Sequence, residues 1–263
     1  MRIFRNKTLN ITAGVLGVLA ILVAVLWVVD VSLAARAESR LSRAISESAG
    51  LDNSPRVHAG GSVFSVSLFT GELDSVNIEM LDVEVPGVGM VNATSEVQSV
   101  QVSRAQALSG DLEGATAELF SRTLRLDGVA LGAQLQITDL DIAHPVDVSP
   151  SGGRAAEAVL TGTPPGATEP VSVLATLRLV GSEFRLTPIE LVDAPAGTEL
   201  SDVEGAFSWR VDTHRLPLAD RAMSAYLAGG SIHLQSQARN VTLSTRELSP
   251  LAAPEEDSGE ENR

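Results

Sequence analysis

The chain has 263 residues, 33 acidic against 19 basic side chains, a formal net charge of −14 and no cysteine. This balance excludes nucleic acid as a partner, because a basic face is needed to neutralise phosphates, and the missing cysteines exclude disulfides and thiolate metal sites. Aromatic residues make up only 3%, which argues against stacking platforms for sugars.

The first element is an uncharged, proline-free apolar run from Ile11 to Val29. As a helix rising about 1.5 Å per residue it reaches roughly 28 Å, the thickness of a bilayer's hydrocarbon core. Arg2, Arg5 and Lys7 precede it and Asp30 closes it. Basic flanks stay in the cytoplasm. The pattern therefore predicts a cytoplasmic segment over 1–10, a transmembrane anchor over 11–29 and an extracytoplasmic remainder, a single-pass protein of the cell membrane. A cleaved signal peptide, cut near Ala35-Arg36-Ala37, is the rival reading. The run exceeds the usual h-region of about 7–15 residues, and the cut would fall inside a helix, so the anchor is favoured.

Ser32 to Ser48 carries Leu33, Ala37, Leu41, Ala44 and Ile45 at helical spacing, one apolar stripe on a second helical stretch. Arg36, Arg40 and Arg43 share another face, either solvated or touching lipid headgroups above the bilayer. Gly50 ends the helix.

The period then changes to 2. Phe64, Val66 and Leu68 alternate with serines, and Val76, Ile78 and Met80 alternate with polar residues, which predicts strands. Leu81, Val83 and Val85 take the opposite phase, which places a β-bulge near Met80–Leu81. A second slip falls between Val97 and Val100. Ala105 to Leu119 reads as a short helix, weakened by Gly110 and Gly114. Further strands are expected at 124–126, 135–137, 140–142, 171–179, 184–186, 189–191, 207–211, 232–234 and 241–243. Most have one apolar and one polar face. The expected fold class is α+β, a curved antiparallel β-sheet wet on one side and covered on the other by the Leu33–Ile45 stripe. This domain spans 32–248, and the acidic stretch over 249–263 reads as a disordered tail.

Little in the sequence points to chemistry. His58, His144, His214 and His233 show no metal-ligand spacing. No nucleophile elbow, dinucleotide fingerprint or phosphate loop occurs. Asp139 and Asp141 sit two apart on an expected strand, where paired carboxylates could serve acid–base work, but a plain exposed face is the favoured reading. No catalytic residue, metal or cofactor is assigned, and a binding role is the better class.

Two stretches carry a resemblance to a known family. AARAESRLSRAISESAGL (Ala34–Leu51) is followed by PRVHAGGSVFSVSLFTGELDSVNIEMLDVEV (Pro55–Val85). Together they resemble the N-terminal part of the LmeA-type phospholipid-binding proteins of actinobacteria. Gly61-Ser62-Val63-Phe64 stands where that family has a GFPF-like segment, and Gly71-Glu72-Leu73 where it has a turn. Val171–Val192 resembles its late hairpin and Leu216-Pro217 its Leu-Pro turn. The resemblance implies a half-TULIP-like fold, a long helix packed in a strongly curved sheet with an apolar groove for acyl chains, in a cell envelope. On that reading the groove is lined by Leu33, Ala37, Leu41, Ala44, Ile45, Phe64, Val66, Leu68, Val76 and Ile78, with Arg36, Arg40 and Arg43 at headgroups. The partners implied are phospholipid or a lipid-linked glycan, and the membrane. The alternative is a non-catalytic envelope scaffold with a closed core.

Overall fold

The computed structural model describes residues 3–51, 53–61, 63–85, 88–145 and 154–249, with side chains from residue 14 onward. The expected tail beyond residue 249 lies outside the described residues. Leu248 and Ser249, at its start, are buried.

The apolar run and the second helical stretch form one continuous helix, α1 (Ile3–Ala49), 47 residues long. Asp30 does not close it. Nothing in its sequence breaks the ladder until Gly50, whose φ of +64° suits glycine. The Leu51 amide then donates to the Ser46 carbonyl (2.9 Å), the long bond of a Schellman cap. From Val15 to Val31 every large apolar side chain is about half exposed or more. Beyond Asp30 the predicted stripe turns inward, with Ala37, Leu41 and Ile45 buried.

After strand β1 (Arg56–Gly60) comes helix α2 (Phe64–Thr70), not the expected strand. Phe64, Val66 and Leu68 therefore do not share a face. Phe64 and Leu68 pack inward, while Val66 is exposed. Asp30 decides the outcome. Its carboxylate accepts the first two amides of α2, from Phe64 (3.0 Å) and Ser65 (2.6 Å). These groups have no partner within a helix. Gly71, at φ +74°, ends α2.

Strands β2 (Glu72–Val85) and β3 (Gly89–Gln101) form a long hairpin. The expected bulge is present: the register shifts between Met80 and Val83, with Asp82 at φ +52°. The slip between Val97 and Val100 is also present, with Ser99 at φ +51°. Leu73 and Val76 slip in step on the partner strand, so Leu73 still faces Val100 and Val76 faces Val97.

The expected helix over 105–119 is shorter. Helix α3 (Arg104–Ser109) starts at a Ser103–Gln106 capping box and stops at Gly110, and β4 begins by Thr116 (Thr116–Leu126). Gly110 has φ +72°, and a Cβ there would lie 2.5 Å from the Ala37 carbonyl oxygen of α1. Both groups are backbone, so neither can step aside. Gly110→Ala is expected to lose about 2 kcal/mol of stability, combining left-handed strain with overpacking. A lowered urea midpoint at unchanged slope checks it.

The stretch at 135–137 is not a strand. Asp127 accepts the Val129 and Ala130 amides and starts helix α4 (Gly128–Leu135). The rest is β-structure: β5 (Asp141–Ala143), β6 (Glu157–Gly162), β7 (Val171–Val180), β8 (Glu183–Asp193), β9 (Trp209–Asp212), β10 (Ser224–Ala228) and β11 (Ser231–Thr242), with the short helix α5 (Leu200–Val203) before β9.

The strands form two antiparallel sheets rather than the single sheet expected. The first has the order β1-β2-β3-β4-β11-β10 and the second β5-β6-β7-β8-β9. Backbone bonds between Ala155 and Leu227 join them. Long strands β2, β3 and β4 feed two apolar cores. Their near ends (Val76, Ile78, Val97, Phe120) pack with Leu41 and Ile45 of α1 and Ala107 of α3. Their far ends (Val83, Val91, Leu124) pack with α4 and the second sheet around Phe184 and Phe207. The result is a curved, partly closed half-barrel with a helix laid along one end, consistent with a half-TULIP-like arrangement.

Candidate functional site

The groove implied between helix and sheet is a contact, not a tunnel. Leu41, Ile45, Val76 and Ile78 are buried in one cluster, Ala37 is buried beside the same small void, and Leu33 and Ala44 are half-buried. The void left between α1, β1, β2 and α3 is about 20 Å³, room for about one water.

Space opens instead where α1 leaves its apolar run. A cleft of about 560 Å³ lies between α1 (Trp27 to Glu38), α2 and the β1–β2 hairpin. Its apolar wall includes Trp27, Val31, Val63, Phe64 and Val66. Its polar rim carries Asp30, Glu38, His58 and Asp74. Glu38 accepts the Ala59 amide (2.8 Å) and pairs with His58 (3.1 Å), which ties α1 to the sheet edge. Phe64 lines both this cleft and the small void behind it. With Glu38, Ala59 and Leu73, which also line both, it forms the partition between open space and core.

The position of α2 depends on one carboxylate. Asp30→Ala leaves two amides without their acceptor. It is expected to loosen the first turn of α2 by about 1 kcal/mol, the usual worth of a helix cap. Faster hydrogen exchange of the Phe64 and Ser65 amides, with the β4 amides unchanged, checks it.

The three predicted headgroup arginines are not equivalent. Arg36 is exposed on α1. Arg40 donates to the Leu108 carbonyl of α3 (2.8 Å) and Arg43 to the Ser39 carbonyl (3.3 Å). Arg104 was not singled out from sequence. Its Nε donates to the Leu68 carbonyl (2.7 Å) and its guanidinium lies 5.8 Å from the Phe69 ring centre.

A second feature was also missed. Ser95, Arg122 and Ser236 stand side by side on β3, β4 and β11, all buried, across the seam between the two cores. Arg122 donates to Ser95 Oγ (3.1 Å), to the Pro217 carbonyl (3.4 Å) and to the Glu247 carbonyl. Burial pulls its pKa down to about 10, and the Glu247 charge opposes that fall. It borders a cavity of about 290 Å³ under the segment Leu243–Leu248, walled by Phe120, Leu218 and Val241. The readable signal was an arginine in phase with Phe120 and Leu124.

Two further titratable groups have structural partners. Asp139 does not lie on a strand. It accepts the Thr163 amide (2.9 Å) and hydroxyl (2.7 Å), and these bonds hold its carboxyl below the usual range. His233 stacks on Tyr226 at 5.0 Å, and its burial lowers its pKa. Among the described residues no group of His, Asp or Glu is placed to hold a metal.

The geometry is an apolar-walled cleft beside a helix of membrane-spanning length, with no metal-holding cluster among the described residues. The family model described as LmeA-like phospholipid-binding matches residues 28–237, and the chain belongs to that family. It is a membrane-associated lipid-binding protein with one helix long and apolar enough to cross a membrane. No curated protein matches the chain. No solved structure matches it either.

Proposed function

We propose that this chain is an extracytoplasmic phospholipid-binding protein held at the cell membrane by α1, and that it handles phospholipid or a lipid-linked glycan at the outer leaflet. The observation that carries this reading is the cleft at the base of α2, apolar on one wall and set where the exposed apolar run of α1 ends. The arginines and lysine before the run orient the chain. Asp30 also argues for an uncleaved helix, since a cut at Ala35–Ala37 would remove the cap of α2.

Lipid rising from the bilayer meets this cleft first. An acyl chain goes further only if Phe64 yields and α1 parts from Val76 and Leu73. The described state is the closed one, with Leu41, Ile45, Val76 and Ile78 in one buried cluster. Burying a methylene is worth about 0.8 kcal/mol, so a few carbons entering the gap offset a modest opening cost. Of the arginines, Arg36 stands about 9 Å beyond Asp30 along the helix and Arg43 about 20 Å. A headgroup layer is only about 5–8 Å deep, so Arg36 serves that role best.

The packed contact between α1 and the sheet favours one second reading, a closed envelope scaffold. Native mass spectrometry of the full chain, released from detergent after purification from cells, separates them. Retained phospholipid, above that held by the isolated α1 peptide, supports the carrier. A bare protein leaves the scaffold.

A further inference from the structure

Helix α2 carries apolar side chains on both faces. Phe64 and Leu68 pack on the core, whereas Val63, Val66 and Phe69 point outward at 46%, 51% and 80% exposure. Val66 and Phe69 are i, i+3 neighbours on α2, and Val63, the extended residue just before the helix, lines the same cleft as Val66, so the three make one exposed apolar patch. Nothing else in the described fold covers them. Trp27, 67% exposed, lines the same cleft as Val63 and Val66. Height is fixed independently. Asp30 is the first charged residue after the membrane-spanning run, and it holds the first two amides of α2. The start of α2 therefore lies level with the point where α1 leaves the hydrocarbon. Arg104 adds a cation beside the patch, over the Phe69 ring.

The geometry points to α2 as a second membrane contact: its Val63–Val66–Phe69 patch enters the outer leaflet beside α1, with Arg104 at the headgroup phosphates. The occupant is the lipid surface. The patch continues the exposed apolar surface of α1, and an aromatic with a flanking arginine is suited to the boundary between acyl chains and headgroups. The contact seats the cleft mouth on the bilayer, so lipid need not cross water. This inference rests on α1 crossing the membrane, and not on phospholipid capture.

The chain has no cysteine, so single labels can be placed without background. Phe69→Cys and Val66→Cys, with Asp111→Cys as a water-exposed control, are labelled with an environment-sensitive fluorophore. Each full chain is reconstituted in vesicles of phosphatidylcholine and phosphatidylglycerol. Labels at 69 and 66 are expected to shift to the blue, resist aqueous iodide and be quenched by spin-labelled acyl chains, while 111 behaves oppositely. Both sites are exposed, so the fold tolerates them, and circular dichroism verifies it. Iodide quenching at 69 and 66 equal to that at 111 overturns the inference. Lipid retention by the unlabelled chain is scored separately, so a water-exposed α2 with retained phospholipid defeats only the contact, and an embedded α2 with none defeats only the carrier.

Discussion

Replacing Arg122 with alanine is expected to cost about 3 kcal/mol of folding stability, from losing charge-assisted hydrogen bonds and opening a hole in the core. Arg122 is 2% exposed. Its guanidinium gathers the Ser95 hydroxyl and the backbone carbonyls of Pro217 and Glu247. Its head also lies 5.1 Å from the centre of the Phe120 ring. Alanine strands those acceptors in an apolar seam and leaves a hole between the two cores. It also frees the segment from Ser244 to Ser249, whose Leu248 closes the near core. With a pKa near 10, the guanidinium stays charged at neutral pH, so its hydrogen bonds are charge-assisted under working conditions. Arg122→Met keeps much of the volume without the charge and should lose less than alanine does. Urea titrations of the full chain, followed by far-ultraviolet circular dichroism, give both values. A loss under about 1 kcal/mol for alanine would place Arg122 among surface-like contacts.

The near core was legible because its signals are local. The stripe Ala37, Leu41, Ile45 is a helical period, and the phase changes at Met80–Leu81 and Val97–Val100 are recorded directly in a side-chain period of 2. Helix α2 was not legible for the converse reason. Phe64, Val66 and Leu68 satisfy a strand's alternation, while Phe64 and Leu68 alone satisfy a helix's i, i+4 spacing. Five residues cannot separate the two, and the deciding group, Asp30, lies 34 positions upstream. Asp127-Gly128 likewise has a turn's composition, yet the Asp127 carboxylate caps α4. The division into two sheets depends on which strands pair at long range, and no local pattern reports that. Strand β1 escaped notice because its five residues, RVHAG, sit at a sheet edge with little alternation in burial.

For the site, the helical period marked Ala37, Leu41 and Ile45, which are buried, and Leu33 and Ala44, which are half-buried, but it did not give the state of the groove. Whether such surfaces touch or stand apart depends on side-chain volumes from four elements at once, and here they touch. The open space lies one helical turn or two nearer the membrane, beside a helix that local pattern read as a strand.

Phe64→Ala is the change that tests whether this closed contact can admit lipid. The ring is part of the partition between the 560 Å³ cleft and the 20 Å³ void behind it. Its removal opens part of the wall that it shares with Glu38, Ala59 and Leu73 and brings the cleft toward Leu41 and Val76, which line the void. A fully buried Phe→Ala change costs about 3–5 kcal/mol. Phe64 is only half-buried, so a loss of about 2 kcal/mol is expected by the same bookkeeping. In a carrier, the new space lets an acyl chain advance. Two more buried methylenes are worth about 1.6 kcal/mol, which raises phospholipid affinity by more than about tenfold. Phe64→Ala should therefore be less stable when lipid-free and hold phospholipid more tightly, so that added lipid restores its melting temperature more than it raises that of the parent chain. In a scaffold the same change removes packing and gains nothing, so stability falls with or without lipid. Thermal unfolding of parent and variant in lipid-free detergent, and again with added phosphatidylglycerol, reads the difference. Equal lipid-induced shifts in the two chains would mean that Phe64 guards no entrance.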